Sequence, residues 1–156
     1  MARFAGAVHV VTTDGKAGRR GVTATAVTSV SDSPPLLLFC LNRNREENRW
    51  FIENGVFALN TLCVDQSVIA RAFAGEGQLS RDERFRVGAW QQLKTGAPVL
   101  GGARMSLDCV VTDVQAIATH YVIFGRVVDF ARDGHGDALI YLDRDYRKLE
   151  GERGES

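Results

Sequence analysis

Apolar and polar residues alternate with a period of two along most of this chain, the pattern of half-buried strands. Val8 to Thr13 reads as a strand closed by an Asp14-Gly15 turn. From Gly21 the pattern is Val22, Ala24 and Ala26 on one face and Thr23 and Thr25 on the other. The alternation slips at Val27 and resumes at Val30, which predicts a β-bulge or sharp twist before Pro34-Pro35 stops the strand. Leu36 to Leu41 is a continuous apolar run, predicting a strand buried on both faces. Gly55 to Cys63 predicts another, with Phe57, Leu59 and Thr61 on one face. Beyond Met105 everything alternates: Leu107, Cys109 and Val111 against Ser106, Asp108, Val110 and Thr112, continuing over Val114 to Ala118. A corner at Thr119-His120 leads into Tyr121 to Arg132, a turn at Asp133 to Asp137, and a strand over Ala138 to Leu142.

Helical spacing is confined to short pieces. Arg3 to Ala7 reads as the tail of a helix, and Asn48 to Asn54 as a short helix with Trp50, Phe51 and Ile52 facing inward. Asp65 to Phe73 predicts a helix with Asp65 as N-cap and Val68, Ile69, Ala72 and Phe73 as its apolar stripe. Leu79 to Lys94 is a polar excursion anchored by Phe85, Trp90 and Leu93. Many short strands with few helices indicate a mostly antiparallel barrel. Residues 1–150 are expected to form a single domain, with 151–156 a charged, frayed tail.

Composition adds exclusions. A chain of 156 residues can bury a substantial core. Its 19 basic and 19 acidic residues cancel, which argues against a nucleic-acid surface. No apolar run reaches the length of a helical membrane span, and the amino terminus lacks the layout of a secretory signal. Cys40, Cys63 and Cys109 are odd in number and apolar in setting, as expected of free, buried thiols in a reducing cytosol. No triad, carboxylate pair or metal cluster is evident, and neither Gly15-Gly18-Gly21 nor Gly75-Glu76-Gly77 has the spacing of a nucleotide-binding loop.

Two stretches could carry chemistry. Thr23 to Val30 consists almost entirely of small side chains, so it forms either a hydroxyl-edged shelf for a flat ligand or an ordinary Thr-rich strand. Asn42 to Asn48, with Arg43 and Arg45 inside it and Arg49 just beyond, could grip a phosphate through guanidinium and backbone N–H groups, or be a solvated turn balanced by Glu46 and Glu47. His9 lies within a strand and is expected to be a satisfied structural histidine.

Gly21 to Pro35, followed by Leu36 to Leu41 and Asn42-Arg43, resembles the signature of the flavin reductase-like family. Phe73-Ala74-Gly75, Glu83-Arg84-Phe85, Trp90-Gln91, Pro98-Val99-Leu100, Asp113 to Ile117, Thr119-His120 and Leu139-Ile140-Tyr141 follow in the family's order. Within the family the likeness is greatest to the reductase component of 4-hydroxyphenylacetate 3-monooxygenase, then to a pyrimidine-utilisation flavin reductase. The resemblance implies an antiparallel split β-barrel of the FMN-binding type with a few short helices. It also implies an NAD(P)H:flavin oxidoreductase, using FAD or FMN and NADH or NADPH. As a homodimer with the flavin at the subunit seam, it would pass reduced flavin to a separate oxygenase that hydroxylates an aromatic compound. The rival readings are a pyridoxamine-phosphate-oxidase-like oxidase and a flavin- or haem-binding split barrel without reductase activity.

Carried onto this chain, the resemblance places the flavin against Thr23, Ala24, Thr25, Ala26, Thr28, Ser29 and Val30. Leu41, Asn42, Arg43 and Asn48 continue toward its phosphate, with Phe73 and Arg84 also at the cofactor. His120 is the candidate for contact with nicotinamide or ring, against a structural corner histidine. Tyr146 would close over the nicotinamide or pack on the barrel. Relatives carry a longer amino-terminal helix, so this chain's start is expected to be shortened or different.

Overall fold

A computed structural model describes residues 1–132 and 134–152. In chain order the strands are β1 (Gly6–Ala7), β2 (His9–Thr13), β3 (Arg20–Ala24), β4 (Val27–Asp32) and β5 (Pro35–Asn42). Helix α1 (Trp50–Asn54), β6 (Val56–Thr61), α2 (Ser67–Phe73) and α3 (Arg81–Phe85) follow. Then come β7 (Trp90–Gln92), β8 (Pro98–Leu100), β9 (Met105–Ile117), β10 (His120–Ala131), β11 (Ala138–Leu142) and β12 (Asp145–Leu149). Seven strands pair in the order β3-β2-β6-β9-β10-β5-β4, β1-β11-β12 make a second sheet, and β7-β8 a third. Every pairing is antiparallel.

The large sheet must curl. Its two edge strands, β3 and β4, are joined by Thr25 and Ala26 alone, and three chain steps from Ala24 to Val27 span at most about 11 Å. The edges therefore meet at that connection, where Cys40 N–H donates to the Ala26 carbonyl at 3.0 Å. Gly21 to Pro35 is thus two strands on opposite edges rather than one, and the junction is the split of the barrel. The expected slip is there: the chain leaves the sheet at Thr25-Ala26, and the β4–β5 register shifts between Ser29 and Ser31, leaving Val30 unpaired.

The barrel interior holds Val11, Leu37, Phe39, Leu41, Phe51, Phe57, Leu59, Cys109 and Ile123. Phe39 packs edge-on to Phe57 at 4.6 Å and to Phe51 at 5.7 Å. A second cluster outside β2 and β3 joins Val8, Val10, Leu62, Ala70, Phe73, Phe85, Leu100 and Leu139. Glycine makes the close approach between strand and helix possible: a Cβ on Gly21 would lie 2.6 Å from Phe73 Cε1.

Several expectations need correction. Arg3 to Ala7 is a turn and the short strand β1, because Gly6 and Ala7 pair with Tyr141 and Ile140. Leu36 to Leu41 is buried on one face only, through Leu37, Phe39 and Leu41, while Leu36, Leu38 and Cys40 are half-buried. Asp65 lies inside a 3-10 turn over Val64–Gln66 that precedes α2, and Val68 is exposed. The 79–94 excursion is α3 and β7. Asp133 of the predicted turn and 153–156 of the predicted tail lie outside the described residues. Among the described residues no helix is long and apolar enough to cross a membrane.

Candidate functional site

The split opens into a cleft of about 560 Å³, within the roughly 300–1,000 Å³ range of ligand pockets. One wall is the small-residue junction, Thr23 to Ala26, and the other is the end of β5, Cys40 to Asn42. Phe73, Ala74 and Gly75 enter from the end of α2, Arg84 from α3, and His120 from the start of β10. Antiparallel pairing of β5 with β10 sets His120 opposite Asn42. The ring accepts or donates through Nδ1 to Thr119 Oγ1 at 2.8 Å, leaving Nε2 for a ligand.

Ten of the fifteen residues singled out from the sequence line this cleft: Thr23, Ala24, Thr25, Ala26, Leu41, Asn42, Asn48, Phe73, Arg84 and His120. Five do not line it in this chain. Thr28, Ser29 and Val30 are exposed farther along β4. Arg43 is pinned on the β9–β10 hairpin, donating from Nη1 to the Ala118 carbonyl at 2.9 Å with its guanidinium 5.6 Å from the Tyr121 ring centre. Tyr146 lies in a neighbouring hollow.

Two of the ten are committed to the scaffold. Thr23 Oγ1 donates to the Ala70 carbonyl at 2.6 Å, fixing α2 to β3. Asn48, fully buried, donates to the Asn42 carbonyl at 2.9 Å and accepts from Arg20 Nε at 2.8 Å. Asn48 is therefore the bracket that aims Arg20 into the cleft. Arg45, one of the arginines expected from the sequence to grip a phosphate, lines the cleft, and so do Arg20 and Glu47, which nothing in the sequence singles out as cleft residues.

Together these loops concentrate positive charge. Burial lowers the Arg20 guanidinium below its ordinary value, Glu47 opposes that, and Arg84, Arg45 and Arg81 reinforce it. Among the described residues, the buried Arg84 Nε finds no hydrogen-bond partner. A desolvated donor amid like charges is costly, and a bound anion relieves both penalties. The helix carrying Arg84 is held by a capping box: Ser80 Oγ accepts from Glu83 N–H, and Glu83 Oε2 accepts from Ser80 N–H, both at 3.2 Å.

Other titratable groups are accounted for. His9 is buried, bonds through Nδ1 to Thr61 Oγ1 at 2.9 Å, and has its pKa lowered by desolvation to about 4, as expected of a structural histidine. All three cysteines are free. Burial raises the Cys40 thiol, and burial with neighbouring Asp108 raises Cys109 to about 12, the opposite of an activated nucleophile. Among the described residues no His, Cys, Asp and Glu cluster could hold a metal.

A family model described as "Flavin reductase like domain" matches residues 1–150. The chain belongs to that family. It is 45% identical over 152 residues to the FMN reductase (NADH) RutF of Pseudomonas syringae pv. syringae strain B728a, covering 97% of this chain and 84% of that one. Its fold is similar to a flavin reductase candidate from Haemophilus somnus 129PT, with a TM-score of 0.90 and 41% identity over 96% of this chain and 94% of that one. It is also similar to BorF, the flavin reductase component of a bacterial two-component tryptophan halogenase, with a TM-score of 0.88 and 31% identity over 97% and 94% of the two chains. The split barrel implied by the resemblance is therefore the fold.

The residues present fit a flavin. A shelf whose side chains are methyl or hydroxyl groups leaves room for a planar ring system, and the cluster of Arg20, Arg45 and Arg84 meets the chemistry of a phosphate terminus.

Proposed function

We propose that this protein is an NADH-dependent flavin reductase whose flavin occupies the split between β3 and β5. One observation supports this most: a single cleft combines an open small-residue shelf with Arg20, Arg45 and Arg84, against which Glu47 is the one carboxylate in the lining among the described residues. The RutF relative's name supplies the pairing of FMN with NADH.

When bound, the flavin supplies the redox chemistry, accepting a hydride from the dihydronicotinamide. The chain's task is positioning. Thr25 and Ala26, outside any strand, present backbone groups and no bulk at the ring. Phe73 backs that wall, wedged edge-on between Phe85 at 5.0 Å and Trp90 at 5.5 Å. Arg20 and Arg84 would hold the phosphate, and His120 Nε2 would be available to the nicotinamide carboxamide or the ring edge. Direct hydride transfer needs no proton-transfer residue.

A homodimer seam is part of this reading: Ile117 on β9, opposite His120, is 53% exposed, and Val30 on β4 is 46% exposed. Thr28, Ser29 and Val30 would meet the flavin from that seam rather than from the cleft wall. BorF's role in a two-component system supports delivery of reduced flavin to a separate oxygenase. Aromatic hydroxylases of the 4-hydroxyphenylacetate type and pyrimidine oxygenases are the two acceptors to compare.

The deciding experiment is steady-state NADH and NADPH oxidation by the purified protein with added FMN, FAD or neither. Oxidation of NADH only when flavin is added is expected. Tight flavin retention without any nicotinamide oxidation, in folded protein, would replace the reductase reading with the non-reductase or oxidase-like one. His120→Ala should raise KM for NADH more than Kd for flavin; unchanged kinetics would make His120 a structural corner residue.

A further inference from the structure

The three arginines of the cleft are not held alike. Arg20 opens a paired strand, and Asn48 ties the segment around Arg45 to it. Arg84 sits on α3, and among the described residues no hydrogen bond joins residues 79–88 to the rest of the chain. Arg84 N–H donates to the Ser80 carbonyl at 3.0 Å, Arg86 N–H to the Glu83 carbonyl at 3.1 Å and Val87 N–H to the Arg84 carbonyl at 3.1 Å, while the Ser80–Glu83 capping box is equally internal. Side-chain packing alone therefore decides where the Arg84 guanidinium points.

One anchor is Phe85, buried edge-on to Phe73 at 5.0 Å and to Trp90 at 5.1 Å. A single buried ring leaves a short helix free to roll about it. Rolling would also return the buried, unpartnered Arg84 Nε to water, so something must oppose it. Two guanidinium groups do. Arg19, just ahead of β3, lies 4.3 Å over the Phe85 ring centre, with its Nη2 3.9 Å from Asp82. Arg81, at the start of α3, lies 4.6 Å over the ring of Trp50, which opens α1. Trp50 is itself seated on the β2–β3 loop, where a Cβ on Gly18 would lie 3.1 Å from its Cζ3. Both cations are within the range of a cation–π contact. Neither Arg19, Arg81 nor Trp50 lines the cleft.

Resting on the flavin reductase reading, we propose that Arg19 and Arg81 are positioning residues for the flavin phosphate: they clasp α3 to the β2–β3 loop and to α1, and so hold Arg84 in register with Arg20. Arg81 and Arg84 are three residues apart on one face of α3, so fixing the first fixes the direction of the second. Arg81 is also close enough to Arg20 for its charge to be felt there. Charge and clasp are separated by changing the neutral partner, Trp50.

Fluorescence titration with FMN, and with riboflavin, which has the same ring and no phosphate, reads the grip apart from the ring. Trp50→Leu removes the platform under Arg81 without altering any charge. Trp50→Leu, Arg81→Gln and Arg19→Gln are each expected to weaken FMN binding about two- to fivefold and to leave riboflavin binding unchanged. Trp50→Phe, which keeps an aromatic face, should retain most of the FMN affinity. Trp50→Leu combined with Arg81→Gln should bind FMN no worse than the weaker single variant, because both break one contact. Wild-type FMN affinity in Trp50→Leu overturns the Arg81 clasp, since Arg81 would then act through its charge alone, and wild-type affinity in Arg19→Gln overturns the other. Equal losses for FMN and riboflavin overturn both, marking a role in the shape of the cleft. The expected pattern in a protein that oxidises no NADH would refute the reductase reading and leave the clasps standing.

Discussion

Gly21→Ala tests the joint between barrel and helix on which the cleft wall depends. Gly21 is buried in β3, and an added Cβ would lie 2.6 Å from Phe73 Cε1, 2.7 Å from Cδ1 and 3.4 Å from Phe85 Cζ. The backbone at Gly21 is that of an ordinary strand, so the penalty comes from space and not from torsion. Phe73 cannot turn toward Phe85 or Trp90, which flank it edge-on at 5.0 and 5.5 Å, so its ring is driven toward the cleft it lines. Overpacking of this kind costs roughly 1–3 kcal/mol, and for a chain of this size each kcal/mol lowers Tm by about 2–4 °C. The expected loss is thus roughly 2–12 °C by thermal melt, accompanied by weaker FMN binding because the displaced ring lines the cleft. Gly55→Ala is the control. Its Cβ would meet nothing within 4 Å, and its cost arises only from the left-handed φ of +72°, so it should lower Tm without changing FMN affinity. A Gly21→Ala protein with wild-type Tm and FMN affinity would refute the reasoning, showing that the aromatic cluster repacks freely.

Two further predictions concern charge. Arg84→Gln should weaken FMN binding by roughly 10- to 150-fold, the loss of one charge-assisted contact of about 1.5–3 kcal/mol. Riboflavin, which lacks the phosphate, should bind the variant and the wild type alike; parallel losses for both ligands in a fluorescence titration would show that Arg84 shapes the cleft and does not grip phosphate. His9 is held neutral in the fold, with its pKa near 4 against an ordinary 6.5. The unfolded chain therefore binds the extra proton between those values, and the contribution is complete above pH 6.5 and lost as pH falls toward 4. Urea unfolding should show a drop of roughly 2 kcal/mol between pH 7 and 5 from this residue. His9→Gln should remove that slope; an unchanged slope would assign it elsewhere.

The period-two pattern revealed most of the strands because each has one face on a core. Val8 to Thr13, Gly55 to Cys63 and the long pair after Met105 all correspond to strands, within a residue or two at their ends. Pattern alone does not report which strand neighbours which. The alternation at Gly21 to Pro35 reads as one element, yet Thr23 pairs with Val10 and Thr28 with Leu38, at opposite edges of the sheet. Solvation misled in a similar way at Leu36 to Leu41, where the uninterrupted apolar run covers an interior face and a half-exposed one. That outer face is made by Leu36, Leu38 and Cys40, which are half-buried because they alternate with the three residues that face the barrel interior.

The candidate site was legible where it is built from contiguous sequence and obscure where it is assembled from afar. Thr23 to Ala26 and Leu41-Asn42 are consecutive, and a run of small residues beside a polar strand end is visible without coordinates. The charge cluster was legible only in part: Arg45 stood out as a possible phosphate grip and Arg84 through the family resemblance, but Arg20 did not. The three come from the segment after β5, from α3 and from the start of β3, each beside acidic or glycine neighbours that make it look solvated. What joins them is Asn48, an unremarkable amide in the sequence, whose side chain spans from the Asn42 carbonyl to Arg20 Nε in a buried setting. Its role follows from a general constraint: a buried amide must satisfy both ends, so the residue that ties β5 to the Arg20 loop also fixes where the guanidinium points. Replacing Asn48 by Asp would leave the acceptor for Arg20 and lose the donor to Asn42. The phosphate grip and the end of β5 would thereby be separated, though neither is adjacent to the other in the chain.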